Sequence, residues 1–495
     1  MKKQSLPLSF LKEREPQIQW FHDQECTILD VQSDSRKIQP GMLFIAISGT
    51  KEQGEEYMED AIQKGAVAVV AQKYRPLSRP IPFGVTPEPR HALSRITHYL
   101  WQEPAKGMRI TGITGTNGKT TTSFLIRSIL QKASYPTGLL GTTGCYYAEQ
   151  FFPATHTTPE PVELNEHFAR MKSSGIEHVV MEVSSHSLDQ GRVAHLDFDF
   201  GIFTNLSRDH LDYHLTMEKY LEAKSLLFRS LKENAFAILN YNAPESQYLK
   251  QNTRAKCVFF SLQKQKNVAI YAEEIQAPGV KNRFTLVTPN GKVDIILSLP
   301  GIYNIENALA AAACAWAEGI PLETIAQGLN SFSGVPGRME LIPWQGNFEV
   351  FVDFAHTDQA LKKAVLTLKE TKPNRLLLVF GCGGDRDRGK RPMMGEIGKL
   401  YADYTWITND NPRTENPESI ASEIVKGFAD SKNYTLCLDR AKAIEEAIQS
   451  AYEGDIVLIA GKGHENVQIV GKDRFPFSDQ EVAKNCLEKI YRKRK

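Results

Sequence analysis

The 495-residue chain is poor in cysteine, with seven scattered at 26, 145, 257, 314, 382, 437 and 486 and no CxxC pair among them. Their odd number and the lack of a CxxC pair favour buried or free thiols in a reducing compartment over metal or disulfide roles. Long apolar runs are missing too. None approaches the ~20 residues needed to cross a bilayer, and residues 1–10 lack the apolar stretch of a signal peptide. A cytoplasmic protein without membrane insertion is expected. Charge of one sign is also absent, because the formal net charge is only +1. Nothing global therefore points to nucleic acid or a membrane surface. No repeat or low-complexity segment stands out.

An apolar fraction of 41% and a charged fraction of 24% suit packed cores. At roughly 100–200 residues per domain the length predicts about three domains. Apolar runs alternate with helical patterns, which predicts an α/β architecture. The turn-prone Gln102-Glu-Pro-Ala-Lys-Gly107 and Ser333-Gly-Val-Pro-Gly337 read as linkers. They divide the chain into residues 1–105, 106–336 and 337–495. In the first block, residues 55–64 read as a helix and 66–70 as a strand. The second opens with a strand near 108–113. Its later part, 256–299, alternates like antiparallel strands and precedes a helical run at 305–318. The third reads as repeated βα units, with strands near 376–380, 405–408 and 456–460.

The first chemical signal is Gly112-Ile-Thr-Gly-Thr-Asn-Gly-Lys-Thr120, between an apolar strand and a helical run at 121–133. A glycine-rich turn directs backbone N–H groups at phosphate oxygens, and the helix N-terminus adds partial positive charge. Lys119 can reach β/γ-phosphates, and the Thr120 hydroxyl can ligate Mg²⁺. The strict P-loop spacing would place glycine at 113, where Ile113 stands. By itself the motif specifies a nucleotide phosphate, whether in a ligase, a switch or a motor.

Glu182 closes a second apolar strand and His210 follows a third. In a parallel sheet, carboxyl ends of strands border the ligand crevice. Glu182 is then a natural Mg²⁺ ligand beside Thr120, because Mg²⁺ prefers oxygen. Composition alone leaves His210 open as a surface-loop histidine, Lys224 as a solvated helix lysine and Arg192 as a solvated arginine.

Several segments match one known family in order. They are Gly115-Thr-Asn-Gly-Lys-Thr120, Met181-Glu-Val-Ser-Ser-His186, Thr204-Asn-Leu-Ser-Arg-Asp-His-Leu-Asp-Tyr-His214, Asn304-Ile-Glu-Asn307, Gly337-Arg-Met-Glu340 and Asp353-Phe-Ala-His356. Together they resemble the Mur ligases, a group that includes the folylpolyglutamate synthetases. The resemblance covers nearly the whole chain and is weakest over the first 100 residues. It implies three α/β domains: an N-terminal domain for a UDP substrate, a central P-loop ATPase domain and a C-terminal Rossmann-like domain. It also implies an ATP-dependent ligase of cytoplasmic peptidoglycan precursor synthesis, which phosphorylates a carboxylate and couples it to an amine.

The resemblance assigns roles residue by residue. Lys119, Glu182, His210 and Lys224 become the catalytic set. ATP contacts fall on Gly115, Thr116, Asn117, Gly118, Lys119, Thr120, Thr121, Asn304, Asn307, Arg338 and Asp353. Lys224 matches a carbamylated lysine: a neutral amine adds CO₂ and becomes an anionic oxygen ligand. With Thr120, Glu182 and His210 it would complete the Mg²⁺ sites. Ser35, in Ser33-Asp-Ser-Arg36, would meet the UDP end of UDP-N-acetylmuramoyl-L-alanyl-D-glutamate. Thr157, Thr158, Ser184, Gln190 and Arg192 would meet the muramoyl dipeptide, and Arg192 suits a carboxylate or phosphate. Only small-molecule partners and a monomer are expected. Two departures stand out: Gln53-Gly-Glu55 replaces the family's Asp-Gly-His turn, and Asp358 replaces the proline after Asp353-Phe-Ala-His-Thr357.

The third block has three polar loops after strands: Gly381-Cys-Gly-Gly-Asp-Arg386, Asp410-Asn-Pro-Arg413 and Gly461-Lys-Gly-His-Glu465. The strand-end argument predicts that they converge. A dinucleotide GxGxxG reading of the first loop fails, because Arg386 stands where the last glycine belongs. Arg386, Asp410, Asn411, Pro412, Arg413, Gly461 and Glu465 would form a pocket for a zwitterion with an extra carboxylate. Asp410-Asn-Pro-Arg413 resembles the recognition loop of family members that add meso-diaminopimelate. Arg413 can grip a distal carboxylate bidentately and would repel the ammonium of lysine. A lysine-adding relative, a folylpolyglutamate synthetase and a non-catalytic nucleotide-binding module are the competing readings.

Overall fold

Runs of apolar residues between amphipathic helices build three mixed sheets, each with a run of parallel strands. The computed structural model describes residues 2–48, 53–276 and 281–494. Two compact units emerge. The first comprises Met1–Ser261, Asn267–Ala269 and Ala310–Ile320; the second comprises Leu262–Lys266, Ile270–Leu309 and Pro321–Lys495. The first unit thus contains the first expected block and much of the second.

Within the first unit, a five-stranded sheet has the order Gln19–Phe21, Phe83–Val85, Ala68–Ala71, Met42–Ile45, Asp30–Gln32. All its pairs are parallel except the outermost, Gln19–Phe21 with Phe83–Val85. The main sheet runs Thr137–Gly141, His178–Glu182, Arg109–Thr114, Phe200–Phe203, Phe236–Asn240, Lys256–Ser261, all parallel. Gly144–Tyr147 and Gln150–Phe152 add antiparallel strands beside Thr137–Gly141. Phe200, Gly201, Ile202 and Phe203 are all buried, as expected for a strand covered on both faces. Register sets Glu182 opposite Ile113 and Phe203 opposite Thr114. Three chain segments therefore leave the sheet at one level.

The segment 256–299 departs from expectation. Its first strand, Lys256–Ser261, is parallel to Phe236–Asn240. Val258, Phe259 and Phe260 are all buried, so this strand joins a two-faced core rather than a half-exposed ribbon. Antiparallel pairing begins only with Ile270–Gln276, Asn282–Thr288 and Gly291–Leu297, in the second unit. The helix after it spans Ile302–Ala317, and the expected helix at 55–64 splits into a 3₁₀ turn, Gly54–Tyr57, and an α-helix, Met58–Gln63.

The second unit's larger sheet has the order Glu340–Leu341, Glu349–Asp353, Ile456–Ala460, Leu376–Phe380, Tyr404–Ile407, Tyr434–Leu436, antiparallel only at the first pair. Successive side chains of a strand point to opposite faces. Leu376, Leu378 and Phe380 accordingly pack with Leu361, Met394 and Ile424. Leu377 and Val379 pack with Ile444, Ile448 and Leu487 on the other face. This is the Rossmann-like layering expected of the third block. Among the described residues, no helix is long and apolar enough to cross a membrane.

One buried ion pair ties the C-terminal helix, Asp479–Arg494, to the strand ends. Arg440 and Asp479 are both fully buried; Nε and Nη2 each donate to the carboxylate at 2.7 Å. Arg440 also donates to the carbonyls of Asn409 and Ala460, at 3.2 and 3.0 Å. Truncating one member of such a pair leaves an unpaired buried charge, at a cost of about 3–5 kcal/mol. Arg440→Ala should lose that much stability in urea unfolding; a loss below about 1 kcal/mol would refute the structural role assigned to the pair.

Candidate active site

The strand Arg109–Thr114 ends in the loop at 115–118, and the 14-residue helix Lys119–Lys132 starts at once. No acidic side chain lies in that helix's first turn, so its positive end is left free for an anion. Thr204 and Asn205 brace the loop: Thr204 Oγ1 donates to Asn117 O at 2.7 Å, and Thr116 N–H to Asn205 O at 2.9 Å. Gly115 is required because a Cβ there would lie 1.9 Å from Thr204 Oγ1. Lys119 folds back, and its Nζ donates to the carbonyls of Gly115 and Thr116 at 2.8 and 2.9 Å. Thr121 follows in the first helical turn.

Glu182 is buried at its strand end. Thr120 Oγ1 donates to Glu182 Oε2 at 3.0 Å. Thr142 was not foreseen. Its N–H and hydroxyl donate to the two Glu182 oxygens at 2.9 and 3.1 Å. No motif signalled this residue, because the contact arises from the neighbouring strand. A carboxylate and a hydroxyl oxygen fit Mg²⁺, which keeps several waters of its own.

The residues assigned to the muramoyl dipeptide gather at the same strand end. Thr158 Oγ1 donates to Glu182 O at 2.9 Å and accepts from Ser184 N–H at 3.1 Å. Thr157 Oγ1 accepts from Thr142 Oγ1 at 3.1 Å. Arg192 is buried, donates to Thr158 O and Gln190 Oε1, and pairs with Glu160 at 2.8 Å. Ser35 belongs to the five-stranded portion. It is buried at the turn Ser35–Lys37, and no hydrogen bond joins it to this cluster among the described residues. In the altered turn nearby, Glu55 pairs with Arg75 at 2.9 Å.

Lys224 is almost wholly buried. Its Nζ donates to Gly115 O at 3.0 Å and lies 4.3 Å from the Tyr220 ring centroid. Burial first, and the nearby Lys119 second, hold its pKa well below the usual lysine value. The neutral amine is thereby favoured. His210, with a left-handed backbone (φ 52°), is half-exposed, its ring 4.9 Å from the His186 ring and 6.0 Å from Tyr220. Among the described residues, no three His, Cys, Asp or Glu side chains group as a metal centre.

The second unit holds the remaining predicted residues. Asn304 and Asn307 are buried, with Asn304 donating to Pro300 O at 2.7 Å and accepting from Asn307 at 3.1 Å. Asp353 accepts from Met339 N–H and Ala355 N–H at 2.7 and 2.8 Å, and burial raises its pKa against these donors. Arg338 stacks on Phe354, 5.2 Å from its centroid. Thr357 caps the helix Asp358–Lys369, and Asp358 takes the first helical position, where an acid is favoured.

The three polar loops converge as expected. They line a cavity of about 390 Å³ with Phe354, His356, Asp358, Arg386, Asp387, Lys390, Asp410, Asn411, Arg413, Gly461 and Glu465. Gly461 (φ 119°) lets Asp410 approach; a Cβ would meet its carboxylate at 2.7 Å. Asn411 Nδ2 donates to Glu465 Oε2 at 2.9 Å. Arg413 Nη1 donates to Gly384 O at 2.8 Å, while Nε and Nη2 have no hydrogen bond among the described residues. Arg413 itself has φ 51°, an uncommon conformation for a residue other than glycine. Lys462, Arg391 and Glu415 were missed. Lys462 stands inside a loop whose flanking residues were singled out; Arg391 and Glu415 had no sequence signal.

Three family models match in order: the Mur ligase family catalytic domain over residues 27–88, the Mur ligase middle domain over 113–315 and the Mur ligase glutamate ligase domain over 337–463. A UDP-N-acetylmuramoyl-L-alanyl-D-glutamate–2,6-diaminopimelate ligase from Geobacillus thermodenitrificans is 42% identical over 468 residues, 93% of this chain and 95% of the relative. The ligase of the same description from Oceanobacillus iheyensis is 40% identical, covering 94% and 95%. A solved structure of a ligase so described aligns with a TM-score of 0.70 at 34% identity, covering 94% of this chain and 95% of that one.

Arg391 brackets two of the cavity loops from beneath. Its side chain is fully buried and donates to Glu415, Glu423 and Gly383 O. Glu415 also accepts from Asp385 N–H. Chiefly the Arg391 hydrogen bond, then that N–H, depress the Glu415 carboxyl from 4.5 to about 2. Stability from this group is therefore complete above pH 4.5 and lost as pH falls toward 2. Comparing the melting of wild type and Glu415→Gln across this range, the gap should narrow with falling pH; a constant gap would rule out the bracket.

Proposed function

The chain belongs to the Mur ligase family, and we propose that it uses ATP to add meso-2,6-diaminopimelate to UDP-N-acetylmuramoyl-L-alanyl-D-glutamate in cytoplasmic peptidoglycan precursor synthesis. The observation that carries the substrate choice is the unsatisfied edge of Arg413 in a cavity that also offers Glu465 and Asp410. A guanidinium edge suits the distal carboxylate of diaminopimelate, and the carboxylates suit its ammonium groups.

ATP phosphorylates the D-glutamyl carboxylate, giving ADP and an acyl phosphate. The diaminopimelate amine attacks that carbonyl, and the tetrahedral adduct collapses to an amide and phosphate. Lys119 and the helix N-terminus behind the loop stabilise the transferring phosphoryl group. Gly115 to Thr121 hold the phosphates. Asn304, Asn307, Arg338 and Asp353 are assigned to the rest of the nucleotide. Thr120 and Glu182 would hold Mg²⁺, which when bound neutralises phosphate charge. Lys224, as a carbamate, and His210 would hold a second. Ser35, Thr157, Thr158, Ser184, Gln190 and Arg192 bind the UDP-muramoyl dipeptide. We assign the domains to residues 1–105, 106–336 and 337–495, in a monomer.

Lys224→Ala should be inactive yet partly rescued by acetate, which returns an anionic oxygen. Intact-mass measurement should find the carbamate on active protein; an unmodified Lys224 in fully active enzyme would dismiss this role.

Phosphate release from ATP, followed with the dipeptide substrate and each amino acid in turn, tests the reaction itself. Diaminopimelate should support it and lysine should not. Truncating one partner of a buried charge pair costs ~2–5 kcal/mol. At ~1.4 kcal/mol per decade, Arg413→Ala should lower kcat/KM for diaminopimelate by roughly 30- to 5000-fold. Use of the dipeptide should change far less. An unchanged diaminopimelate-to-lysine ratio would remove Arg413 as the reader of the distal carboxylate.

A further inference from the structure

The cavity of the second unit has an uneven charge. Asp358, Asp387, Asp410 and Glu465 supply four carboxylates, against three cations on Arg386, Lys390 and Arg413. Arg440 lies beneath but is cancelled by Asp479. The fourth cation is Lys462, which does not line the cavity. Its side chain is fully buried behind the wall. Nζ donates to Asn411 Oδ1 at 2.9 Å and to Glu465 Oε2 at 3.1 Å.

These contacts order two lining residues at once. Asn411 Oδ1 also accepts from Ile469 N–H at 3.0 Å, so its amide nitrogen must turn toward Glu465 Oε2. That oxygen takes both donors. Glu465 Oε1 has no hydrogen bond among the described residues and is left for a ligand. A buried ammonium with one carboxylate and one amide oxygen is an expensive way to hold a loop, since an apolar side chain of equal volume often serves stability as well.

Resting on the reading of this cavity as the diaminopimelate site, we propose that Lys462 is a specificity-determining positioning residue: buried against Asn411 and Glu465, it brings the pocket to charge balance, so that a zwitterion of zero net charge is accepted and a net cation is penalised. Diaminopimelate carries two carboxylates and two ammonium groups. Lysine lacks one carboxylate and arrives with a net positive charge. Arg413 acts on that difference by direct contact. Lys462 acts on it through the field of the pocket and the aim of Glu465, without touching substrate.

The test is kcat/KM for diaminopimelate and for lysine at high concentration, in full-length wild type, Lys462→Met and Lys462→Arg, with a melting curve for each. In Lys462→Met the preference for diaminopimelate should fall by roughly tenfold or more, about 1.4 kcal/mol or more, chiefly through KM. Lys462→Arg keeps the charge and should keep the preference. An equal loss for both amino acids in folded Lys462→Met would mean that Lys462 only supports the loop, and the inference fails. If Lys462→Met does not fold, Asp387→Asn removes an exposed carboxylate from the same cavity and must raise the preference; no rise overturns the inference. Wild type that ligates no diaminopimelate would instead bring down the reading of the cavity.

Discussion

A parallel strand cannot turn straight back into its neighbour; the chain must cross over the sheet before the next strand begins. Every loop that leaves a carboxyl end therefore lies along one edge. Both units depend on this constraint. In the first, Thr114, Glu182 and Phe203 end adjacent strands at one level, and the segments beyond them bring Thr120 to Glu182 and Asn117 to Thr204 and Asn205. In the second, Phe380, Ile407 and Ala460 end three neighbouring strands, and their loops line one cavity. Residues 54 to 87 positions apart in sequence meet because the strands share a direction.

The second theme is how buried charge is held. Arg440 and Arg391 are fully buried and paired with carboxylates, and they stabilise loops. Lys462 is paired with a carboxylate that itself faces a cavity. Lys224 has a carbonyl and an aromatic face as its partners. A lysine so placed is costly as an ammonium and favourable as a free amine. Of these buried cations it is the one suited to chemistry on its own nitrogen.

Much of the architecture was legible in the sequence because buried parallel strands are short, apolar and bounded by turns. The strands Leu376–Phe380 and Ile456–Ala460 were read to the residue. The strand Lys256–Ser261 was not, because apolar alternation does not reveal whether a neighbour runs parallel or antiparallel. The glycine-rich loop, Glu182 and the three polar loops were readable because each abuts a strand end. Thr142, Arg391 and Glu415 were not, because a threonine or a charged residue has no pattern of its own.

By itself the sequence determined the family, the phosphate loop and the identity of the charged residues that the loops would carry, since these depend on local spacing and residue chemistry. Only the tertiary structure decided that Lys224 is buried beside Gly115 O, that Arg413 keeps a free edge, and that Lys462 stands behind Glu465 rather than in solvent. Those outcomes depend on which strand ends become neighbours and on how much water their packing excludes, and neither quantity is written in the spacing of residues along the chain.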